Sequence, residues 1–407
     1  MASVLLAWEL GGGLGHAVPL AALARHLAAR GHTVHLAWKD TGLVATAFRG
    51  APPAGVLPWQ APLAMRGSAE AHEPASHAEI LLRAGFEDAD RLRGRVLAWR
   101  SLVTHCAPSL LVADHAPTAL LAARGLGLGL RRALIGTGFS IPTDRCPQPS
   151  FRDWEAVAPQ RLAEAEDRAL NACRQVSAAL GESPLPHLAA LFDADERFLL
   201  GWPELDHLAP WRDQALRGWG AWAVGTAGIP PTWPGDASVT GPRLFAYLDR
   251  AHPAFAAILA ELARGPWRTL AHVDALTYEE ARRWRSPWFE PSPRLLDLEA
   301  VLAETDAVLC HGNAGTSHAA LARGVPLVML PLQAEHLLLA RRVAALGAGV
   351  YAWPEEVPSS LRPALQAVLG GPGFRGAARR LAERHAGDGD AIAAIAQRCE
   401  ALAASGG

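Results

Sequence analysis

Two short segments of this 407-residue chain combine glycines with polar residues in a way that could hold an anion. The first is Gly11-Gly12-Gly13-Leu14-Gly15, followed by His16. A backbone bare of side chains, after a strand and before a helix, lets amide N–H groups approach a ligand closely. It is not a dinucleotide fingerprint, because His16 stands where the third glycine of G-x-G-x-x-G belongs, and it lacks the Lys-Ser/Thr ending of a P-loop. Gly13 and Gly15 are the ligand-facing candidates, although the same glycines would also serve a plain tight turn. The second segment is His311-Gly312-Asn313-Ala314-Gly315-Thr316. Small residues between a buried strand and a helix start leave several N–H groups converging beside a favourable dipole. Thr316 can cap or donate to phosphate. The His311 ring can donate to a phosphate oxygen or be spent on a hydrogen bond in the core.

Both segments require a strand behind and a helix in front. Residues 3 to 9 are an apolar run, and Leu20, Leu23 and Leu27 follow at helical spacing. Pro19 is expected in the first helical turn and Gly31 just past the last, before a second strand from Val34 to Trp38. Downstream, 307–310 reads as strand, 311–316 as turn, 317–323 as helix and Gly324 as stop, with a strand from Val325 to Leu330. Further strand-length runs lie at 110–113, 133–135, 198–200, 243–247 and 269–273, alternating with helical segments such as 154–180 and 252–264. This grammar predicts an α/β chain of two doubly wound domains. The breaker-rich stretch 218–242 is the expected linker, which gives domains at 1–220 and 221–385 and a helical tail at 386–407, expected to pack back on the first domain. Residues 51–76 read as a substrate-shaping loop, as do 139–153.

Composition excludes several function classes. A formal net charge of −2 offers no electrostatic basis for nucleic-acid binding. No uncharged eighteen-residue stretch suggests a transmembrane segment, and Glu9 interrupts the first apolar run too early for a secretory signal, so a cytoplasmic location is expected. Five cysteines at irregular spacing form no metal or disulfide framework. The 14 tryptophans are scattered and are assigned to packing rather than to an aromatic acceptor pocket.

With both turns in view, the chain resembles the family-1 glycosyltransferases. Gly15-His16-Ala17-Val18-Pro19 and the helix after it match that family's G-H-x-x-P region, and 306–350 matches its donor-binding region, through His311–Thr316, Gly324-Val325-Pro326, Pro331-Leu332 and Gly347-Ala348-Gly349-Val350. The resemblance covers roughly the first forty and the last hundred residues. It implies a GT-B fold of two facing Rossmann-like domains and an inverting, metal-independent transferase without a cofactor. The nucleotide-sugar, dTDP- or UDP-linked, is then a co-substrate, and the acceptor a natural product, lipid, peptide or sugar. By the same resemblance His16 is the general base, Asp114 orients it, and His311, Gly312, Asn313, Gly315 and Thr316 hold the leaving diphosphate.

Three departures bear on the donor. The family's Asp/Glu-Gln pair for sugar hydroxyls is Glu335-His336 here. The Glu that usually meets the ribose hydroxyls is replaced by Ala319, which removes a reason to prefer ribose over 2′-deoxyribose. Tyr247-Leu248-Asp249-Arg250 stands where a Gly-Ser or Ser/Thr turn is common; Arg250 could contact phosphate or pair with Asp249 or Glu279 on the surface. An epimerase or hydrolase on the same fold, or a non-catalytic nucleotide-sugar-binding protein serving a partner, are the competing readings.

Overall fold

Short apolar runs form the central strands because these are covered by helices on both faces, so no polar alternation is needed; the edge strand Val56–Gln60 is largely exposed. In the computed structural model, which describes residues 1–64, 72–127, 129–212, 216–222, 228–235 and 240–405, these strands form two separate parallel sheets. Residues 65–71 of the expected loop and 223–227 and 236–239 of the expected linker lie outside the described residues. Contacts group Met1–Trp219 with the segment from Ala391 onward in one unit, and Gly220–Asp390 in a second.

The first unit runs β1 (Ser3–Trp8), α1 (Leu14–Ala29), β2 (Thr33–Trp38), α2 (Val44–Phe48), β3 (Val56–Gln60), α3 (His77–Arg83) and α4 (Ala89–Cys106). It continues with β4 (Leu110–Asp114), α5 (Pro117–Ala123), β5 (Arg131–Gly136), α6 (Pro159–Ala179) and β6 (Glu196–Leu199). Its sheet order is β3-β2-β1-β4-β5-β6. The second unit runs β7 (Arg243–Leu248), α7 (Phe255–Arg264), β8 (Arg268–Val273), α8 (Tyr278–Trp284), β9 (Phe289–Ser292) and α9 (Leu298–Ala303). After these come β10 (Ala307–Cys310), α10 (Ala314–Ala322), β11 (Leu327–Met329), α11 (Ala334–Ala345), β12 (Gly349–Tyr351), α12 (Val357–Gly370) and α13 (Pro372–Arg384). The order of this sheet is β12-β11-β10-β7-β8-β9. Each sheet therefore reverses direction once, between β1 and β4 and between β7 and β10.

Helix starts differ from the sequence expectation. α1 begins at Leu14, so Pro19 lies inside the helix rather than in its first turn. Without an N–H it cannot bond back to the Gly15 carbonyl four residues earlier. α10 begins at Ala314, three residues before the expected Ser317, which draws Gly315 and Thr316 into its first turn. The glycine turns are therefore shorter than their glycine content suggested. Gly31 and Gly324 do follow their helices with positive φ (85° and 68°), as end signals should.

The core of the first unit packs Leu5 and Leu111 of the sheet against Trp99 and Val176 of the covering helices. Leu244 and Leu309 meet Ile258 and Leu361 in the second. The last helix, α14 (Ala391–Ser405), buries Ile392, Ile395 and Cys399 in the first unit. His32, just after α1, bonds the Glu400 carboxylate at 2.9 Å, and Arg398 pairs with Glu196 at 2.7 Å. Among the described residues no helix is long and apolar enough to cross a membrane.

Candidate functional site

In the first unit the polar groups gather where the strand order reverses. Asp114 is the last residue of β4 and lies in register with Trp8, the last of β1. His16, in the first turn of α1, brings its Nδ1 to 2.8 Å from Asp114 Oδ2. An ionised carboxylate only accepts, so Nδ1 carries the hydrogen and Nε2 is the basic nitrogen. The ring lies on the Trp8 indole, with centroids 5.2 Å apart and planes at 18°. Trp8 is itself anchored by its Nε1–H to the Leu10 carbonyl at 2.7 Å. Asp114 does not cap the following helix, whose N-cap is Ala116.

Gly11 leaves the room for this ring. It adopts φ +78°, and a Cβ there would stand 2.3 Å from His16 Nε2. Gly13 is the N-cap of α1 and Gly15 lies inside it; a Cβ at either meets nothing within 4 Å. Within this turn, the glycine with the sharpest steric duty is thus one that the spacing did not single out. His115, adjacent to Asp114, packs its ring against His77 and Phe139. Burial, with the neighbouring His77 and His16 adding to it, holds its pKa well below the ordinary value, so it stays neutral.

Glu9 was a mere interruption in the sequence and has a definite task in the fold. It is buried at the end of β1 and accepts the backbone N–H groups of Thr118 (3.2 Å) and Ala119 (2.6 Å), capping α5 from a distance. Burial raises its pKa to about 7, against the opposing pull of those bonds. A lone acid at a strand end gives no sign of its partner, because that partner is more than a hundred residues away.

The second unit repeats the pattern. Gly312 has φ +89°, and a Cβ there would meet the His336 carbonyl oxygen at 2.6 Å, so the turn after β10 packs directly on the start of α11. Asn313 is the N-cap of α10 but its side chain makes no capping bond, and its Oδ1 is buried without a partner. The first N–H groups of α10, at Ala314, Gly315 and Thr316, point out of the helix without a side-chain acceptor. Glu335 and His336 occupy the first turn of α11, and Ala319 lies half-buried in α10.

Two sequence expectations change here. The His311 ring accepts from the Asp249 backbone N–H through Nε2 (2.7 Å) and donates through Nδ1 to the Leu330 carbonyl (2.8 Å). No ring N–H is left for phosphate in this arrangement; His311 ties the ends of β7, β10 and β11 together instead. Burial keeps its pKa below the ordinary value, which suits a neutral bridging ring. Arg250 forms a two-pronged pair with Glu280 (3.0 and 2.7 Å) and bonds the Ala275 carbonyl, so it pairs neither with Asp249 nor with Glu279. Glu280 also closes the capping box of α8 with Thr277, and the Arg250 guanidinium beside it holds its carboxyl down at about 2.

Residues 293–402 match the family described as Erythromycin biosynthesis protein CIII-like, C-terminal domain. Over 148 residues the chain is 34% identical to the 10-deoxymethynolide desosaminyltransferase of Streptomyces venezuelae, a match covering 36% of this chain. It spans only about a third of that curated relative, 34% of its length. In fold the likeness extends over nearly the whole chain. The calicheamicin glycosyltransferase CalG4 superposes with a TM-score of 0.70 at 21% identity, over 99% of this chain and 98% of that one. The glycosyltransferase VinC, solved in complex with dTDP, gives 0.67 at 16%, over 99% and 100%. The fold is GT-B. Within this GT-B chain the family match spans the Gly312 turn and the start of α11, whereas the His16–Asp114 pair stands on its geometry.

Two outcomes follow from the first unit. Gly11→Ala, forced into a left-handed backbone and against the imidazole, should cost on the order of 1–2 kcal/mol in denaturant unfolding and shift the His16 ring resonances; an unchanged His16 spectrum would refute the steric role. Glu9 takes up its proton at a higher pH in the folded chain (about 7) than in the unfolded one (4.5), so between these values the folded state binds more protons. Stability should therefore fall as pH rises from 4.5 to 7, and Glu9→Gln should flatten that slope in urea melts.

Proposed function

We propose that this chain is an inverting, metal-independent glycosyltransferase that moves a sugar from a nucleoside-diphosphate donor to a hydroxyl of a natural-product acceptor. The observation that carries the reading is the His16–Asp114 pair at 2.8 Å, stacked on Trp8 at the first sheet's reversal. A binding module has no use for an oriented imidazole of this kind. The first unit supplies the base. The second binds the nucleotide-sugar, which is a co-substrate, with the uncapped N-terminus of α10 as its anion site and Glu335 and His336 for the sugar.

In the reaction His16 Nε2 takes the proton of the acceptor hydroxyl as its oxygen attacks the anomeric carbon. The bond from that carbon to the diphosphate oxygen breaks at the same time, and a single displacement inverts the configuration. Asp114 fixes the tautomer and stabilises the imidazolium that forms. Charge gathers on the departing diphosphate, where the N–H groups of Ala314, Gly315 and Thr316 and the α10 dipole meet it without reorganisation. The desosaminyltransferase and CalG4 likenesses support a natural-product acceptor, and the dTDP in VinC, together with Ala319 here, supports a deoxyribose donor.

His16→Ala should retain donor binding in calorimetry while lowering transfer by roughly 100-fold or more in a product assay; transfer at the wild-type rate would remove His16 from the mechanism. Sugar released or isomerised at full rate without any acceptor would favour the hydrolase or epimerase instead. For the donor, dTDP should raise the melting temperature at least as much as UDP. Stabilisation by UDP alone would overturn the role given to Ala319.

A further inference from the structure

Three neighbouring strands of the second sheet, β7, β10 and β11, each lead into a helix through a junction that carries a histidine: His252 before α7, His311 before α10 and His336 in the first turn of α11. His252 and His311 flank the point where the strand order reverses, which is where open α/β sheets take their ligands. Their rings are stacked, with centroids 5.5 Å apart and planes at 20°. His336 is in contact with the same turn through Gly312.

The hydrogen bonds fix which nitrogen of His252 carries the proton. The Ala254 backbone N–H donates to His252 Nδ1 at 3.0 Å, so the neutral ring has its hydrogen on Nε2. That Nε2–H is buried, in a residue only 2% exposed, and meets no hydrogen-bond partner. His336 is in a similar state: its Nε2 faces the Gln333 side-chain amide nitrogen at 3.2 Å, a donor, which leaves the hydrogen on Nδ1, also buried and unpartnered. Unpaired buried donors are costly and uncommon, and they mark places where a partner is to come. These groups are N–H donors rather than lone pairs, and among the described residues no group of histidines, cysteines and carboxylates has the arrangement to hold a metal ion. The missing partner is therefore an acceptor. Beside the open N-terminus of α10, an acceptor of several oxygens and negative charge fits best.

We propose that His252 is a ligand of the donor's diphosphate, its Nε2–H donating to a phosphate oxygen while the Ala254 bond holds the ring in that tautomer. This rests on the donor-site reading above. Burial keeps the ring neutral in the free protein, lowering its pKa to about 4, so the donor acts as an uncharged hydrogen-bond group. The Asp249 carboxylate, which is coupled to all three rings, accepts the Ala251 N–H at 2.8 Å.

His252→Asn separates this role from folding, because the shorter amide can still accept the Ala254 N–H but has no donor at the Nε2 position. Calorimetry on the full chain with inorganic pyrophosphate, dTDP and UDP should show wild-type binding, and a Kd weakened by about tenfold or more in the variant. In the wild type, the ring ¹⁵N and ¹H signals of His252 should move on adding pyrophosphate, a reading that requires no variant to fold. Binding by His252→Asn within twofold of wild type, or His252 signals that stay fixed while pyrophosphate binds, would overturn the assignment alone. A wild-type chain that binds none of the three ligands would overturn the donor-site reading itself.

Discussion

The reversal of strand order in each sheet is the constraint on which the polar chemistry depends. When the chain has laid down β1, β2 and β3 in one direction and returns to place β4 on the other side of β1, the connections after β1 and β4 leave toward opposite sides of the sheet. Their carboxyl ends are then the one place along the sheet not roofed by a crossing connection. His16 and Asp114 occupy that place in the first unit, and His252 and His311 occupy the equivalent place in the second. The same topology thus offers one oriented imidazole–carboxylate pair and one junction of two stacked imidazoles, with the difference made by side chains.

His16 and His311 are each held at two points. For His16, a charge-assisted bond fixes the ring nitrogen and the Trp8 face fixes the ring plane. For His311, two backbone bonds leave no rotational freedom, and in exchange it joins three strand ends. These are rigid supports for a functional group, which is what preorganised electrostatics requires. Glu9 adds a less obvious support. By capping α5 it fixes the helix that begins just after Asp114, although it touches neither member of the pair.

Much of this was legible in the sequence. Buried parallel strands read as short continuous apolar runs, and glycine and proline punctuate them, so the central strands of both wound sheets and both turns could be placed from residue types. The short edge strands β3, β9 and β12 were not legible, and β3 lies in the stretch that reads as a loop. The resemblance to family-1 glycosyltransferases added His16 and Asp114, which the structure brings within hydrogen-bond distance. What could not be read depends on partners distant in sequence. Which glycine must be glycine was hidden, because Gly11 is required by a ring five positions on whose direction is set by β4. Arg250 could not be paired from sequence, since several acids stood in reach and only the fold brings Glu280 to it. The His311 ring was open to two uses, and the Asp249 N–H and Leu330 carbonyl, on neighbouring strand ends, decided between them.

The return of α14 to the first unit has a consequence for synthesis. Translation delivers the groove beside α1 first and the helix that fills it last, after the whole of 220–390 has emerged. During that interval the first unit lacks the partner of its His32 and Glu196 ends and keeps an apolar seam in water. Of the two units, the one made earlier is therefore the one completed later, and the second unit can fold while only its N-terminal end is fastened to that neighbour.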